Sequence, residues 1–324
     1  MRVALEASLL RQTRAGSARY LRGLLPELER LADVELLAWG GSGRAATVLR
    51  DAWWYPVALG RRARPFDVLH CPTFRGPLRA SLPLVLTVHD LAVLRHPEAF
   101  NRWTRTYSRA FVPRVVRAAQ LVIAVSNFTK QELVDVLSVP EERIRVVPNG
   151  VGPPFVADGA RADGEYVLAV GTVEPRKNLP RLAEAARASG VELLVAGAPG
   201  WGDVRVNGDG VRFLGFVPDD ELARLYRGAL CVAYPSLYEG FGIPVLEALA
   251  CGSAVVTSAG TAMAEVAGGA AVLVDPRDGD AIAAGILEAI RRRDELASLG
   301  PERARVFSWR ASAEATTAVY REVL

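Results

Sequence analysis

Cysteine is scarce in this chain. The three present, Cys71, Cys231 and Cys251, are odd in number and show no CxxC spacing, which excludes a disulfide framework and a zinc site of the usual pattern. All three read as small core residues. No run of about 18 apolar residues occurs, so an ordinary membrane-spanning helix is excluded too. MRVALEASLL runs straight into RQTRAG without a small-residue cleavage site and reads better as a first strand than as a signal peptide. The expectation that follows is a cytoplasmic protein. Lysine is nearly absent, with Lys130 and Lys177 the only two among 39 basic residues, a bias that fits genome composition.

What the chain does hold is ample material for a core. Half of its 324 residues are hydrophobic and 23% are charged, which excludes wholesale disorder. About 100–200 residues per domain implies two domains. The net charge of +3 hides an asymmetry, because residues 1–150 carry 22 Lys and Arg against 13 Asp and Glu, leaving the remainder net acidic. A basic half suits anionic partners such as phosphate groups or a membrane surface.

Along residues 1–150 short apolar runs alternate with helical stretches. RVALE (2–6), VELLAW (34–39), DVLHC (67–71), LPLVLTVHD (82–90), LVIAVSN (121–127) and RIRVVPN (143–149) read as strands, and 18–31, 101–118 and 128–137 as helices. Runs of this kind are buried on both faces of a parallel sheet. The segment 149–165, rich in Gly, Pro and Asp, lacks periodicity and marks a linker. The alternation then restarts with strands at 166–173, 191–197, 211–216, 230–236, 254–258 and 270–275. Helices follow at about 178–189, at 219–229, from 242, near 261–267, and as one long element over 280–297. The expected fold is α/β, with two doubly wound Rossmann-like domains, 1–157 and 158–306, facing across a cleft. The last helix, 307–324, either packs on its own domain or crosses back to the first. Ligands of such sheets bind beyond the carboxyl ends of the strands.

PSLYEGFGIPVLEALACG (235–252) is the most telling segment. Glu239 lies in the loop after a strand, and Glu247 in the first two turns of the next helix. A carboxylate accepts two hydroxyl hydrogen bonds side by side, which matches a vicinal diol on a hexose or ribose. Gly240 and Gly242 let backbone N–H groups approach a ligand, and the helix start favours a phosphate. The alternative is a capping acid at 239 and a solvated helix residue at 247. In GTVEPRKN (171–178), Arg176 and Lys177 project beside a helix N-terminus capped by Asn178, where two cations suit a pyrophosphate. A surface salt bridge would explain that lysine equally well. His89 and Asp90, at the exit of a strand, suit hydroxyl binding or proton handling, or else a carbonyl contact and a turn cap.

Taken in order, the VHD end of a first-domain strand, AVSNFTKQEL, VVPNGV, GTVEPRKN and EGFGIPVLE resemble the retaining glycosyltransferases of the GT-B fold (glycosyltransferase family 4, group 1). The likeness covers nearly the whole chain and is greatest to bacterial mannosyltransferases of surface-polysaccharide synthesis. It implies that Glu239, with the Gly240-Phe241-Gly242 turn, binds the donor sugar and that Glu247 binds the nucleotide ribose. It implies that Arg176 and Lys177 hold the diphosphate next to Gly171, that His89 faces the transferred sugar with Asp90 as a further sugar or acceptor contact, and that Gly16 offers its N–H to the donor phosphates. The implied reaction takes a hexose, mannose first, from GDP-mannose or else a UDP-hexose and delivers it with retention to a hydroxyl acceptor such as a lipid-linked glycan. The acceptor attacks from the leaving group's own face, a phosphate oxygen takes its proton, and no enzyme nucleophile is assigned. No cofactor, metal or nucleic acid is expected. The chain departs from the family in three places. Thr172 stands where many members carry an arginine, for which Arg176 is the candidate replacement; the first loop, RQTRAGSARY, has one glycine where relatives often have two; and the first domain is short.

The stretch 101–118 places Arg102, Arg105 and Arg109 on one helical face and Trp103, Tyr107 and Phe111 on another. Such a surface could rest on anionic lipid at the inner face of the cell membrane, or simply be core on one side and solvated on the other. Three patterns are declined: Gly41-Ser42-Gly43 as a dinucleotide fingerprint, Asp278-Gly279-Asp280 as a metal motif rather than a cap, and Trp53-Trp54-Tyr55 as a sugar platform rather than core. The rival functions are a sugar-nucleotide epimerase or a phosphorylase on the same fold, told apart by their need for acceptor or orthophosphate, and a two-lobed binding protein without turnover.

Overall fold

The computed structural model describes residues 1–12, 16–41, 43–200, 204, 206 and 209–324. Residues 13–15 of the RQTRAGSARY loop and Ser42 of the declined glycine pattern lie outside them. The chain divides into two units, one of Met1–Pro97, Asn101–Gly150 and Trp309–Leu324, the other of Val151–Ser308 with Glu98–Phe100.

The first unit holds six strands: β1 (Arg2–Glu6), β2 (Asp33–Leu37), β3 (Val68–Cys71), β4 (Leu84–Val88), β5 (Leu121–Ala124) and β6 (Ile144–Val146). They run in the order β2-β1-β3-β4-β5-β6 with every pairing parallel. Parallel strands need crossovers and bury both faces, which is why VLHC, LVLTV and LVIA are apolar at nearly every position. One face, with Leu5, Val85 and Ile123, packs on Tyr20 and Leu24 of the Gly16–Leu28 helix and on Tyr320 of the Trp309–Glu322 helix. The C-terminal helix therefore belongs to the first unit. Those two helices meet at Gly23, where a methyl group would fall 2.1 Å from the Trp309 ring.

The second unit repeats the plan with β7 (Tyr166–Val170), β8 (Glu192–Ala196), β9 (Val211–Gly215), β10 (Cys231–Tyr234), β11 (Val255–Ser258) and β12 (Val272–Val274). Their order is β12-β11-β10-β7-β8-β9, again parallel throughout. At the ends of the Val151–Ser308 segment Val151 is paired to Ser308, and its N–H is donated to the Phe307 carbonyl at 3.0 Å. The three cysteines are free and buried.

Two segments differ from the sequence expectation. The long helix over 280–297 is two helices, Gly279–Arg291 and Arg293–Ala304, broken where Arg292 leaves the helical region at φ −97° and ψ 18°. The break lets Gly300 lie against the Ile243–Ala250 helix, with only 2.8 Å between its Cβ position and the Leu249 carbonyl oxygen. Residues 44–62, assigned no element from sequence, are helical throughout, with a π-helical section at Arg50–Ala58 that accommodates Pro56. Trp54 and Tyr55 are core there, while Trp53 is exposed.

Candidate functional site

In the second sheet β7 is flanked by β8 on one side and β10 on the other, so the connections leave in opposite directions and a crevice opens between the loops after β7 and β10. Val232 pairs with Leu168, which brings Tyr234 and Gly171 to the same carboxyl end. The loop after β7 carries Glu174, Arg176 and Lys177 in a short 3-10 turn; the loop after β10 carries Glu239. The Arg176 carbonyl accepts the Leu237 N–H at 2.8 Å, and Arg176 Nη1 donates to the Tyr238 carbonyl at 3.2 Å, which ties the loops together.

Their side chains form one buried charge cluster. Glu239 Oε1 accepts from Lys177 Nζ at 2.5 Å, from Arg176 Nη1 at 2.7 Å and from the Tyr234 hydroxyl at 3.2 Å. Among the described residues its other oxygen, Oε2, has no such partner. Arg176 Nη2 reaches Glu174 Oε1 at 2.7 Å, and Lys177 Nζ also donates to the Tyr234 hydroxyl and lies 4.7 Å from the centre of that ring. Burial alone would raise the Glu239 pKa, but Arg176 and Lys177 outweigh it and hold the carboxyl down at about 2. Burial draws the Lys177 ammonium below its ordinary value, with Glu239 opposing. Burial likewise raises the Glu174 carboxyl against the pull of Arg176. Two acids and two bases thus neutralise one another in a low-dielectric pocket, and a ligand anion entering there would compete with Glu239 and Glu174 for the cations.

Backbone geometry makes room for this. Gly171 sits at φ +138°, and a Cβ on it would come 3.3 Å from Lys177 Cε; its N–H is donated to the Ala196 carbonyl at 2.9 Å. Its contribution is therefore the side chain it lacks, which lets Lys177 fold over the strand end. Asn178, expected as a helix cap, instead adopts φ +60° and makes no capping bond. Its amide donates to the Pro235 carbonyl at 3.1 Å and the Pro276 carbonyl at 2.7 Å, stapling the lysine loop to the loops after β10 and β12. Gly242, at φ +96°, precedes the Ile243–Ala250 helix. Gly240 beside it is buried.

Glu247 is neither solvated nor part of that cluster. It is buried on the Ile243–Ala250 helix, and its Oε2 accepts from the Tyr226 hydroxyl at 3.1 Å. Phe241 is also buried, its ring edge-on to Phe307 with centroids 5.9 Å apart. Tyr234 and Glu174 were not singled out from sequence. Their only signal was position, at the carboxyl end of a strand and inside the lysine loop.

In the first unit, His89 follows β4. Its Nε2 lies 3.0 Å from the Pro72 carbonyl, and because a carbonyl only accepts, Nε2 carries the proton and Nδ1 the lone pair. Burial lowers the His89 pKa below 6.5, with the Pro72 carbonyl and Asp90 opposing, so the neutral ring can accept a hydroxyl hydrogen bond. Asp90 Oδ1 accepts the Ala92 N–H at 2.9 Å, the turn-capping arrangement. Gly16 is exposed at the start of the Gly16–Leu28 helix, with open space at its Cβ position. On the Arg102–Ala118 helix Tyr107 is buried, Trp103 is exposed and donates from Nε1 to Asp51 Oδ2 at 3.2 Å, and Arg102, Arg105 and Arg109 face solvent. Asp278 caps its helix through the N–H groups of Asp280 and Ala281. Among the described residues no group of three or more His, Cys, Asp or Glu is arranged to hold a metal ion, and no helix is long and apolar enough to cross a membrane.

Comparison with known proteins gives a consistent pattern. The family model described as "Glycosyl transferases group 1" matches residues 155–305, and that described as "Glycosyltransferase Family 4" matches residues 14–153. The chain is 32% identical over 285 residues to the O-antigen chain mannosyltransferase B of Escherichia coli, covering 78% of this chain and 74% of that one. It is 30% identical over 302 residues to the MMP alpha-(1->4)-mannosyltransferase of Mycolicibacterium hassiacum, covering 83% and 73%. Among solved structures it is similar in fold to Anabaena HepE in complex with UDP and glucose, with a TM-score of 0.73, 20% identity and full coverage of both chains.

Proposed function

The chain belongs to the group 1, family 4 glycosyltransferases, and starting there we propose that it moves a hexose, mannose first, from a nucleotide diphosphate sugar to a hydroxyl acceptor with retention of the α configuration. The observation that carries this reading is the Lys177–Glu239–Arg176 cluster in the crevice beyond β7 and β10. Oε2 of Glu239 is suited to accept hydroxyls of the donor sugar, while Arg176 and Lys177 stand ready to be drawn from Glu239 to the diphosphate. As the glycosidic bond breaks, negative charge gathers on the departing diphosphate, and fixed cations in a dry pocket stabilise it strongly. No metal or other cofactor enters this scheme. Glu247, held by Tyr226, is assigned to the ribose, Gly16 to the donor phosphates and neutral His89 to a hydroxyl of the transferred sugar. The acceptor attacks from the leaving group's face, and a phosphate oxygen takes its proton.

GDP-mannose is put first because both of the relatives described above are mannosyltransferases by name, and a UDP-hexose second because HepE is seen with UDP and glucose. The acceptor is proposed to be a glycan, in keeping with the name of the O-antigen chain relative, and to be carried on lipid, with the exposed arginines of the Arg102–Ala118 helix resting against the anionic headgroups around it. Thermal melting with a panel of nucleotide sugars tests the donor: GDP-mannose should raise the melting temperature more than UDP-glucose, since a ligand bound only to the folded state stabilises it. Stabilisation by none of them overturns the proposal.

A further inference from the structure

His70 is fully buried in the centre of the first sheet, and nothing in the transfer scheme uses it. Its Nδ1 lies 2.6 Å from the Tyr320 hydroxyl and its Nε2 2.8 Å from Thr87 Oγ1. Thr87 Oγ1 is in turn 3.2 Å from the Tyr20 hydroxyl. Four polar groups from β3, β4, the Gly16–Leu28 helix and the C-terminal helix are thereby satisfied in one buried chain. The chain ends beside His89: the Tyr20 ring stands edge-on to that imidazole, centroids 4.8 Å apart, and edge-on to the Trp309 ring, 6.2 Å away. Burial drives the His70 pKa down to about 3, so its ring stays neutral and serves as one donor and one acceptor at every ordinary pH.

We infer that Tyr20 is a positioning residue for His89, its ring setting the imidazole plane while Thr87, His70 and Tyr320 fix its hydroxyl and Trp309 backs its ring. The C-terminal helix contributes two of these five side chains, so residues at the far end of the chain hold a group expected to meet substrate. The Pro72 carbonyl fixes one nitrogen of His89 but leaves the ring free to swing about that bond; the Tyr20 contact removes that freedom. The inference rests on the proposed role of His89.

With only three histidines in the chain, His70, His89 and His96, the imidazole signals of the full-length protein can be assigned by NMR from His70→Gln and His89→Gln variants. Tyr20→Leu should shift the His89 resonances, move its titration toward 6.5 and mix its tautomers, and Tyr320→Phe should produce part of the same change. Tyr20→Phe keeps the ring and should restore most of the wild-type spectrum. In transfer assays Tyr20→Leu should lower kcat about tenfold while the donor KM changes less than about twofold, the split of a lost orienting contact. Folded Tyr20→Leu and Tyr320→Phe proteins with unchanged His89 signals overturn the inference. Undiminished transfer by His89→Gln would instead overturn the role given to His89, and the NMR comparison separates the two failures because it needs no turnover.

Discussion

Lys177 Nζ and Glu239 Oε1 lie 2.5 Å apart, although 62 residues separate them in the chain. The strand order makes their loops neighbours, and Gly171 and Asn178 shape the lysine loop so that the ammonium reaches back over the sheet. Buried pairs of this type are costly to break from one side, because the remaining charge has no water to turn to.

That asymmetry governs how Glu239 should be tested. Glu239→Ala leaves Arg176 and Lys177 facing each other across a cavity, so it should cost roughly 3–5 kcal/mol of stability as well as abolishing transfer. Glu239→Gln keeps the volume and one acceptor and should unfold at a urea concentration nearer wild type. Its transfer rate should still fall about 100-fold, because hydrogen bonds to a charged group are worth about 1.5–3 kcal/mol each. Urea titration beside a radiolabelled-sugar assay separates the two effects. Wild-type transfer by a folded Glu239→Gln protein would remove this carboxylate from the mechanism.

Acid should reveal the same pair. The folded-state pKa of Glu239 is depressed from 4.5 to about 2, so the folded state holds the ionised form more tightly than the unfolded chain does. Its contribution is fully present above about 4.5 and is lost as pH falls toward 2. The raised carboxyls of Glu6 and Glu174 act in the opposite sense, gaining stability on protonation. Stability measured across this window should therefore fall less steeply in Glu239→Gln than in wild type. Equal slopes would mean that the ion pair does not persist in solution.

The glycines at the strand ends make a third, graded case. A Cβ at Gly171 meets only the flexible Lys177 Cε, at 3.3 Å, but the backbone there has φ +138°, a conformation that costs about 1–3 kcal/mol for other residues. At Gly197 a Cβ would sit 1.8 Å from the Gly171 carbonyl oxygen, which cannot move without disturbing the β7–β8 pairing. Gly197→Ala should lower the melting temperature more than Gly171→Ala, whereas Gly171→Ala should weaken nucleotide-sugar binding out of proportion to its melting shift. The reverse ranking would show that the Gly171 loop relaxes freely.

Much of this was open to reading in the sequence, for identifiable reasons. Strands such as LVIA and CVAY are apolar because both faces are covered, and the alternation with helices fixed a doubly wound plan. EGFGIPVLE and GTVEPRKN could be placed at strand ends, so Lys177, Arg176 and Glu239 were nameable. That they form one ion cluster was not, since pairing across 62 residues depends on strand order. Tyr234 and Tyr226 were hidden because a tyrosine ending a strand or lining a helix looks like core until its hydroxyl is seen to bond a glutamate. Asn178 looked like a cap because its sequence position is right for one; only the φ of +60° shows that its amide faces two carbonyls instead. The break at Arg292 leaves no Pro or Gly signal, being set by packing on the Ile243–Ala250 helix.

The Arg102–Ala118 helix offers a last test, in which the structure alters the kind of contact expected. Arg102, Arg105, Arg109, Arg114 and Arg117 all face solvent, four of them line a shallow groove of about 680 Å³, and the helix contains no acid. Tyr107 is buried and stacks on the half-buried Phe111 at 4.5 Å, and the exposed Trp103 is tied to Asp51, which leaves one aromatic ring at the surface to insert among acyl chains. Attachment to a membrane should therefore be electrostatic, worth about 1 kcal/mol per arginine near the surface and screened by salt over roughly 10 Å at 0.1 M. The triple variant Arg105→Glu, Arg109→Glu, Arg117→Glu should bind vesicles of anionic phospholipid at least 100-fold more weakly than wild type, by about 1.4 kcal/mol per tenfold step. Its transfer to a soluble acceptor should be unchanged. Binding that is equal on neutral and anionic vesicles, absent from both, or insensitive to salt would show that these arginines serve solvation alone.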